Sequence, residues 1–349
     1  MSYTSIDNPE LYFQTKLYTG NGSSRSITFD GSEDMQPDWS WFKARSEAYN
    51  HALFDSVRGT TKLIRSNQTT AEETHSTTLT AFNSNGFSLG GGDAFTNANS
   101  VTYASWNWKA GGSASSNSNG SITSSVSANT TAGFSIVSYT GTGSNATVGH
   151  GLSSAPSMII TKNRTSSSWW GVFHASLGNT KSLYLNVTNA AATGSEFWNN
   201  TSPTSSVFTV NTDGTSNENT KNYIAYCFAE KKGYSKFGSF TGNGNADGTF
   251  VYLGFKPAFV IAKLSSGSGQ DWQITDNKRN SFNTVDKLLY ANGTNSEVTS
   301  GSHPIDYLSN GFKCRGTGDG NNRSGKTYIY MAFAESPFVN SNGVPNNAR

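Results

Sequence analysis

The stretch Tyr18–Gly22 reads YTGNG, and YTGTG at Tyr139–Gly143 and FTGNG at Phe240–Gly244 nearly copy it. Two glycines one residue apart let backbone N–H groups approach a phosphate, so nucleotide binding is the first chemistry to weigh. That chemistry also needs a helix N-terminus after the turn. The residues that follow here, SSRSITFDG, SNATVGHGL and NADGTFVYL, read as strands, and no Gly-Lys-Ser/Thr occurs in any of them. A tight turn with Gly and Asn at positive φ accounts for the phrase.

Other reactive residue types are present without the spacing their chemistry requires. HALFDS places His51, Asp55 and Ser56 together, but the matching positions of the sister phrases hold other residues, against a catalytic triad. The acidic clusters Glu72/Glu73 and Asp271/Asp276 lack the framework of an opposed pair for glycoside hydrolysis. A lone loop Asp recurs as Asp93, Asp213 and Asp319; calcium takes about six to eight oxygen ligands, and an Asx turn explains each Asp equally well. Cys227 and Cys314 fall in small apolar slots, too few for a disulfide framework or a zinc site. Trp169 and Trp170 are adjacent, so on a strand they face opposite sides; one ring can stack on a sugar while the other packs. No catalytic, cofactor or metal residue is assigned.

The elements around these residues recur. Fifteen to seventeen residues after Gly20, Gly141 and Gly242, a proline opens a Pro-x-Φ-x-Φ-x-Lys run: Pro37 to Lys43, Pro156 to Lys162 and Pro257 to Lys263. Its period-2 apolar positions predict a half-buried strand that begins at the proline. A second strand follows each time, at HALFD, WGVFH and WQITD, then GFSLG, VFTVN and GFKCR, and last an aromatic strand from Tyr103, Tyr223 or Tyr328. Pairing of the first two strands as a hairpin sets Lys162 opposite Trp170, Lys263 near Trp272 and Lys43 near His51, which predicts cross-strand cation–π contacts.

Five landmarks in fixed order define a unit of about one hundred residues used three times. The expected fold is all-β, three tandem related β-sandwich (jelly-roll-like) domains at 1–109, 134–234 and 235–341. Residues 110–133, rich in Gly, Ser and Asn, read as a linker in which Ile122 and Val126 can add an edge strand; residues 342–349 read as an exposed tail.

Charged residues make up 14% of the 349, aromatics 13%, and the formal net charge is +2. No basic run offers the footprint of a nucleic-acid binder. No apolar run approaches the roughly 18 residues of a membrane span, and the first residues lack a signal-peptide pattern; a soluble product made in the cytoplasm is expected.

With the units aligned, several phrases become recognisable: YFQTKLYTGNG, LFDSVRGTTK, TAGFSIVSYTGTG, the long YIAYCFAEKKGYSKFGSFTGNGNADGTFVYLGFKPAFVIAK and the ending AFAESPF…NAR. They resemble a family of tail-fibre-like repeat virion proteins of tailed bacteriophages infecting aquatic bacteria. The resemblance implies a non-enzymatic virion component that contacts other virion proteins, forms homo-oligomers and meets a host-surface glycan or protein. A tail-fibre-type or receptor-binding part is the leading expectation, a capsid decoration or head-fibre protein with three repeats mimicking a trimer the second, and a glycan depolymerase the last.

Overall fold

The structure, a computed structural model, describes residues 3–347. In the first unit Phe13–Thr19, Thr102–Trp108, Trp39–Ala44 and Ala52–Asp55 lie side by side in that order, each antiparallel to its neighbour. Phe134–Thr140, Asn222–Phe228, Met158–Asn163 and Trp170–His174 take the same order in the second unit. Ser235–Thr241, Thr327–Pro337, Phe255–Leu264 and Gln273–Asp276 take it in the third. The closing strand thus sits centrally, between the strand that leads into TGxG and the strand that starts near the proline.

A small sheet covers one face of each main sheet: Arg25–Ile27, Gly86–Leu89 and Leu79–Asn83 in the first unit, and Phe250–Tyr252, Gly311–Cys314 and Ile305–Leu308 in the third. The second unit has only Ala146–Gly149 and Val207–Val210 there. A helical turn, Ser195–Trp198, takes the place of the third strand and buries Phe197 and Trp198 in that unit's sandwich core. The protein is an all-β assembly of sandwiches.

The other face of each main sheet is where sequence and structure part. A strand with one wet face was expected at the Pro-x-Φ-x-Φ-x-Lys runs, yet Trp39–Ala44 and Met158–Asn163 are buried at every residue. Phe42, Ile159 and Val260 point into the separate sandwich cores, whereas Trp39, Trp41, Met158, Ile160, Phe259 and Ile261 meet in one central core shared by all three units. The reason is tertiary: the sister sheets supply the cover that water would otherwise supply.

Hydrogen bonds close the three units into a ring. Glu72 N donates to Arg164 O, Ala191 N to Ser265 O and Glu297 N to Arg45 O, at 2.7–3.0 Å, linking first to second, second to third and third back to first. A second set runs the other way around. Trp170 Nε1 donates to Arg65 O, Trp272 Nε1 to Tyr184 O, and His51, standing where the sisters have Trp, bonds Tyr290 O through Nε2, all at 2.9–3.0 Å. Head-to-tail contacts of this kind close only when the rotation per unit fits the ring, here within one chain.

Two stretches are tied to the fold more closely than composition indicates. Within residues 110–133, Ser115–Asn117 and Ser124–Asn129 extend the second unit's main sheet beyond Phe134–Thr140, the edge addition that Ile122 and Val126 allowed, and both of these residues are buried. Edge pairing satisfies backbone groups that a free linker would leave to water, and Asp38 Oδ2 fastens the crossing by accepting from Ala110 N and Gly112 N. The tail 342–349 is exposed but tied where described: Asn346 Nδ2 donates to Ser309 O and Pro337 O at 2.9 Å, and residues 348–349 lie outside the described residues. Of the cation–π pairs, Lys162 Nζ lies 5.9 Å from the Trp170 ring centroid. The Lys263 ammonium is instead held by the carbonyls of Thr188 and Leu264.

Candidate functional site

The backbone donors of the TGxG phrases are spent on the protein itself. Gly22 N, Gly143 N and Gly244 N donate to the backbone carbonyls of Asn97, Asn217 and Asn322 at 2.7–3.0 Å. The side-chain oxygens of the same three asparagines accept from Asn21 N, Thr142 N and Asn243 N. Their amide groups donate to two carbonyls each, Ser144 O and Asn211 O in the case of Asn217, both at 2.6 Å. The second glycine of each phrase has φ of 68–70°, the left-handed region that favours Gly. At Gly20, Gly141 and Gly242 a Cβ would run into the carbonyl oxygens of Ala98, Glu218 and Arg323.

Sequence reasoning missed this asparagine, although a signal was there: Asn97, Asn217 and Asn322 each stand six residues before the tyrosine that opens the closing strand. Asn217→Asp keeps the acceptor and removes the donor, stranding two carbonyls. It is expected to lower unfolding free energy by about 1–3 kcal/mol; a urea midpoint equal to wild type would contradict the clamp.

The residues considered for catalysis are engaged elsewhere. His51 Nδ1 accepts from the Trp41 indole at 2.8 Å, so its Nε2 carries the proton given to Tyr290 O. Burial, aided by the Lys43 charge, pushes the His51 pKa down to about 3. Asp55 accepts from Arg58 Nε at 2.5 Å, from two backbone N–H groups and from the Tyr226 hydroxyl, so it does not face His51. Asp276 and Arg279 repeat this arrangement in the third unit, where the Trp106 indole donates to the carboxylate at 3.0 Å. The Asp-x-x-Arg spacing was legible in LFDSVR and ITDNKR but not singled out.

The remaining acidic groups are likewise taken up. Glu72 receives a two-pronged contact from Arg164 at 2.9 and 3.0 Å, and Glu297 one from Arg45 at 2.9 Å. Both carboxyls lie below their ordinary range because these arginines, with Arg58 and Arg279, outweigh burial. Arg65, with a further contribution from His75, holds Glu73 at about 2. A carboxyl held this low stays ionised and does not serve as a general acid near neutrality. Asp93 and Asp213 accept from backbone N–H groups two residues on, as Asx turns do, and Asp319 pairs with Arg323. Among the described residues no group of three His, Cys, Asp or Glu side chains could hold a metal ion. Cys227 and Cys314 are buried, and burial raises both thiols well above their ordinary value, to about 12 for Cys314.

Lys43, Lys162 and Lys263 are the most unusual ionisable groups. Each is fully buried, with its ammonium hydrogen-bonded to carbonyl oxygens; Lys162 and Lys263 each reach one carbonyl of the preceding unit, whereas Lys43 bonds Ala44 O and Glu47 O of its own. Lys162 bonds Ser168 O at 2.6 Å and Thr69 O of the first unit at 2.8 Å. Burial lowers their pKa values to about 8, 7 and 8. Between those values and the ordinary 10.5, the unfolded chain binds more protons than the folded one, so stability rises with pH. Melting temperature is expected to climb from pH 7 to pH 9, before buried tyrosines and thiols reverse the trend. Lys162→Met is expected to flatten that climb; a wild-type melt that falls over the interval would refute the assignment.

The surface carries two notable features. An open groove of about 410 Å³ runs along Gln36, Lys109–Gly112 and Ala128–Thr130, with the fastened Asp38 in its floor. On the second unit, Trp169 is 41% exposed and meets Tyr184 edge to face at 4.7 Å. Trp170 is fully buried and bonded to Arg65 O, so of the adjacent tryptophans considered for ligand contact only Trp169 reaches solvent.

Fold and surface together define a β-sandwich assembly closed into a quasi-threefold ring, with Glu72–Arg164 and Arg45–Glu297 ion pairs across two of its seams. The chain belongs to the family described as a domain of unknown function, DUF7483, whose profile matches residues 8–337. No curated protein matches it.

Proposed function

We propose that the protein is a structural component of a tailed-bacteriophage particle, serving as a tail-fibre-type or receptor-binding part. The ring carries this reading. Three sandwiches sharing one core make a rigid body that presents three sets of loops, and its buried charges serve cohesion instead of turnover. The sequence resemblance to phage repeat proteins supplies the setting, with other virion proteins as partners on one side and a host-surface glycan or protein on the other. A second reading, capsid decoration, draws on the same ring, because a quasi-threefold body fits a threefold position of a capsid lattice. Cryo-electron microscopy of the intact particle separates the two. Density for the ring on the tail is the expected result, density on the head moves the protein to decoration, and absence from purified particles overturns both.

A further inference from the structure

We infer that the second unit carries a carbohydrate-binding platform built on Trp169. Its position breaks the threefold pattern in two ways at one place. Trp169 occupies the slot before the seam Trp170, where the first unit has Asn50 and the third Asp271. Nearby, the helical turn Ser195–Trp198 replaces a strand of the small sheet. Phe197 from this turn packs edge to face on Tyr184 at 6.1 Å, and Tyr184 in turn meets Trp169 at 4.7 Å. The turn therefore braces the exposed ring from behind.

Acceptors for hydroxyl groups lie close by: the hydroxyl of Ser168, next to Trp169 in the chain, donates to Gly214 O at 3.1 Å, which brings Asp213 beside this stretch, and Asp213 N donates to Glu196 O at 3.0 Å. The Glu196 and Asp213 carboxylates are close enough to raise the Tyr184 pKa, which burial had already pushed up, to about 12. Glu196 is exposed, and Asp213 is held in place by Thr215 N at 2.8 Å. An exposed aromatic face with carboxylates nearby suits a neutral polyhydroxyl ligand: the ring covers the C–H face of a sugar while the carboxylates accept its O–H groups. The same carboxylates repel phosphate and other anions, so an uncharged or weakly basic glycan is the ligand class.

The inference rests on the virion reading only for the source of the glycan, the envelope of a host bacterium. The fold supplies its own probe. Of eight tryptophans, the other seven are at most 2% exposed, so acrylamide quenching of tryptophan fluorescence reads Trp169. Purified protein is titrated with a panel of uncharged bacterial surface oligosaccharides, comprising lipopolysaccharide O-chain units, capsular repeat units and N-acetylglucosamine tetramer. At least one is expected to shield Trp169 from acrylamide. In a label-free assay such as calorimetry, Trp169→Ala is expected to weaken that binding at least about tenfold, which is ~1.4 kcal/mol. Trp169→Phe, which keeps an aromatic face, should retain most of it, and Glu196→Ala should lose several-fold. No shielding by any panel member, or affinity unchanged in Trp169→Ala, overturns the platform. Localisation to the tail without glycan binding leaves the virion reading standing and removes the platform; glycan binding by a protein absent from particles does the reverse.

Discussion

Asp55→Ala is expected to lower unfolding free energy by about 3–5 kcal/mol, because it takes from a buried guanidinium its nearest counter-ion and leaves only the longer contact to Glu72 at 3.2 Å. Both side chains of the Asp55–Arg58 pair are fully buried, with Nε and Oδ2 2.5 Å apart. Burial disfavours the Arg58 cation, and Asp55, Tyr226 and Glu72 outweigh that cost to raise its pKa. Take Asp55 away and the desolvation remains while the main compensation goes. Arg58 would keep its bonds to the carbonyls of Lys62 and Leu53, and Tyr226, which belongs to the second unit, would lose its acceptor. The substitution therefore also loosens a seam of the ring. The double variant Asp55→Leu, Arg58→Met removes the charge along with its partner and is expected to cost less than the single change. Urea denaturation checks both; a single variant within about 1 kcal/mol of wild type would show that the pair carries little of the fold.

Trp39→Ala is expected to cost a similar amount, about 3–5 kcal/mol, by opening a cavity in the central core. The Trp39 ring lies 4.4 Å from Trp108 of its own unit and 4.3 Å from Tyr226 of the second, with Phe134 and Phe228 within 6 Å. Its indole nitrogen has no hydrogen-bond partner among the described residues. Trp39→Phe therefore sacrifices ring area without stranding an acceptor and is expected to cost well under half as much. Because this core belongs to all three units, Trp39→Ala should shift one cooperative transition, with far-UV dichroism and fluorescence coinciding. A biphasic melt in which only one third of the signal moves would show that the units unfold independently.

These two residues mark how far the sequence could be read. Both lie on strands legible from alternation and turn residues, and the pairing of Lys162 with Trp170 followed from hairpin register. The partner of Asp55 was also within reach, since Arg58 stands three residues on. Tyr226 was not, because nothing in either phrase says that the two units touch. Trp39 looked like one side of a half-wet strand; only packing against Tyr226 and Phe228 explains why an aromatic of that size is needed. The platform was half visible: adjacent tryptophans on a strand require one to face outward, but burial chose Trp169, and the approach of Glu196 and Asp213 required the fold.

By itself, then, the order of residues determined the all-β class, the recurrence of the unit and the TGxG turn, because these depend on backbone preferences and spacings a few residues long. The glycines there serve left-handed φ and close backbone approach, and the asparagine six residues before each closing tyrosine completes the turn. Tertiary structure alone decided that the three units face one another, that Ser115–Asn117 and Ser124–Asn129 join the second unit's sheet, and that three lysines end fully buried. Those outcomes depend on which apolar faces meet across more than one hundred residues of chain. Such a choice is governed by the fit of whole sheets and leaves no local mark in the residues that take part.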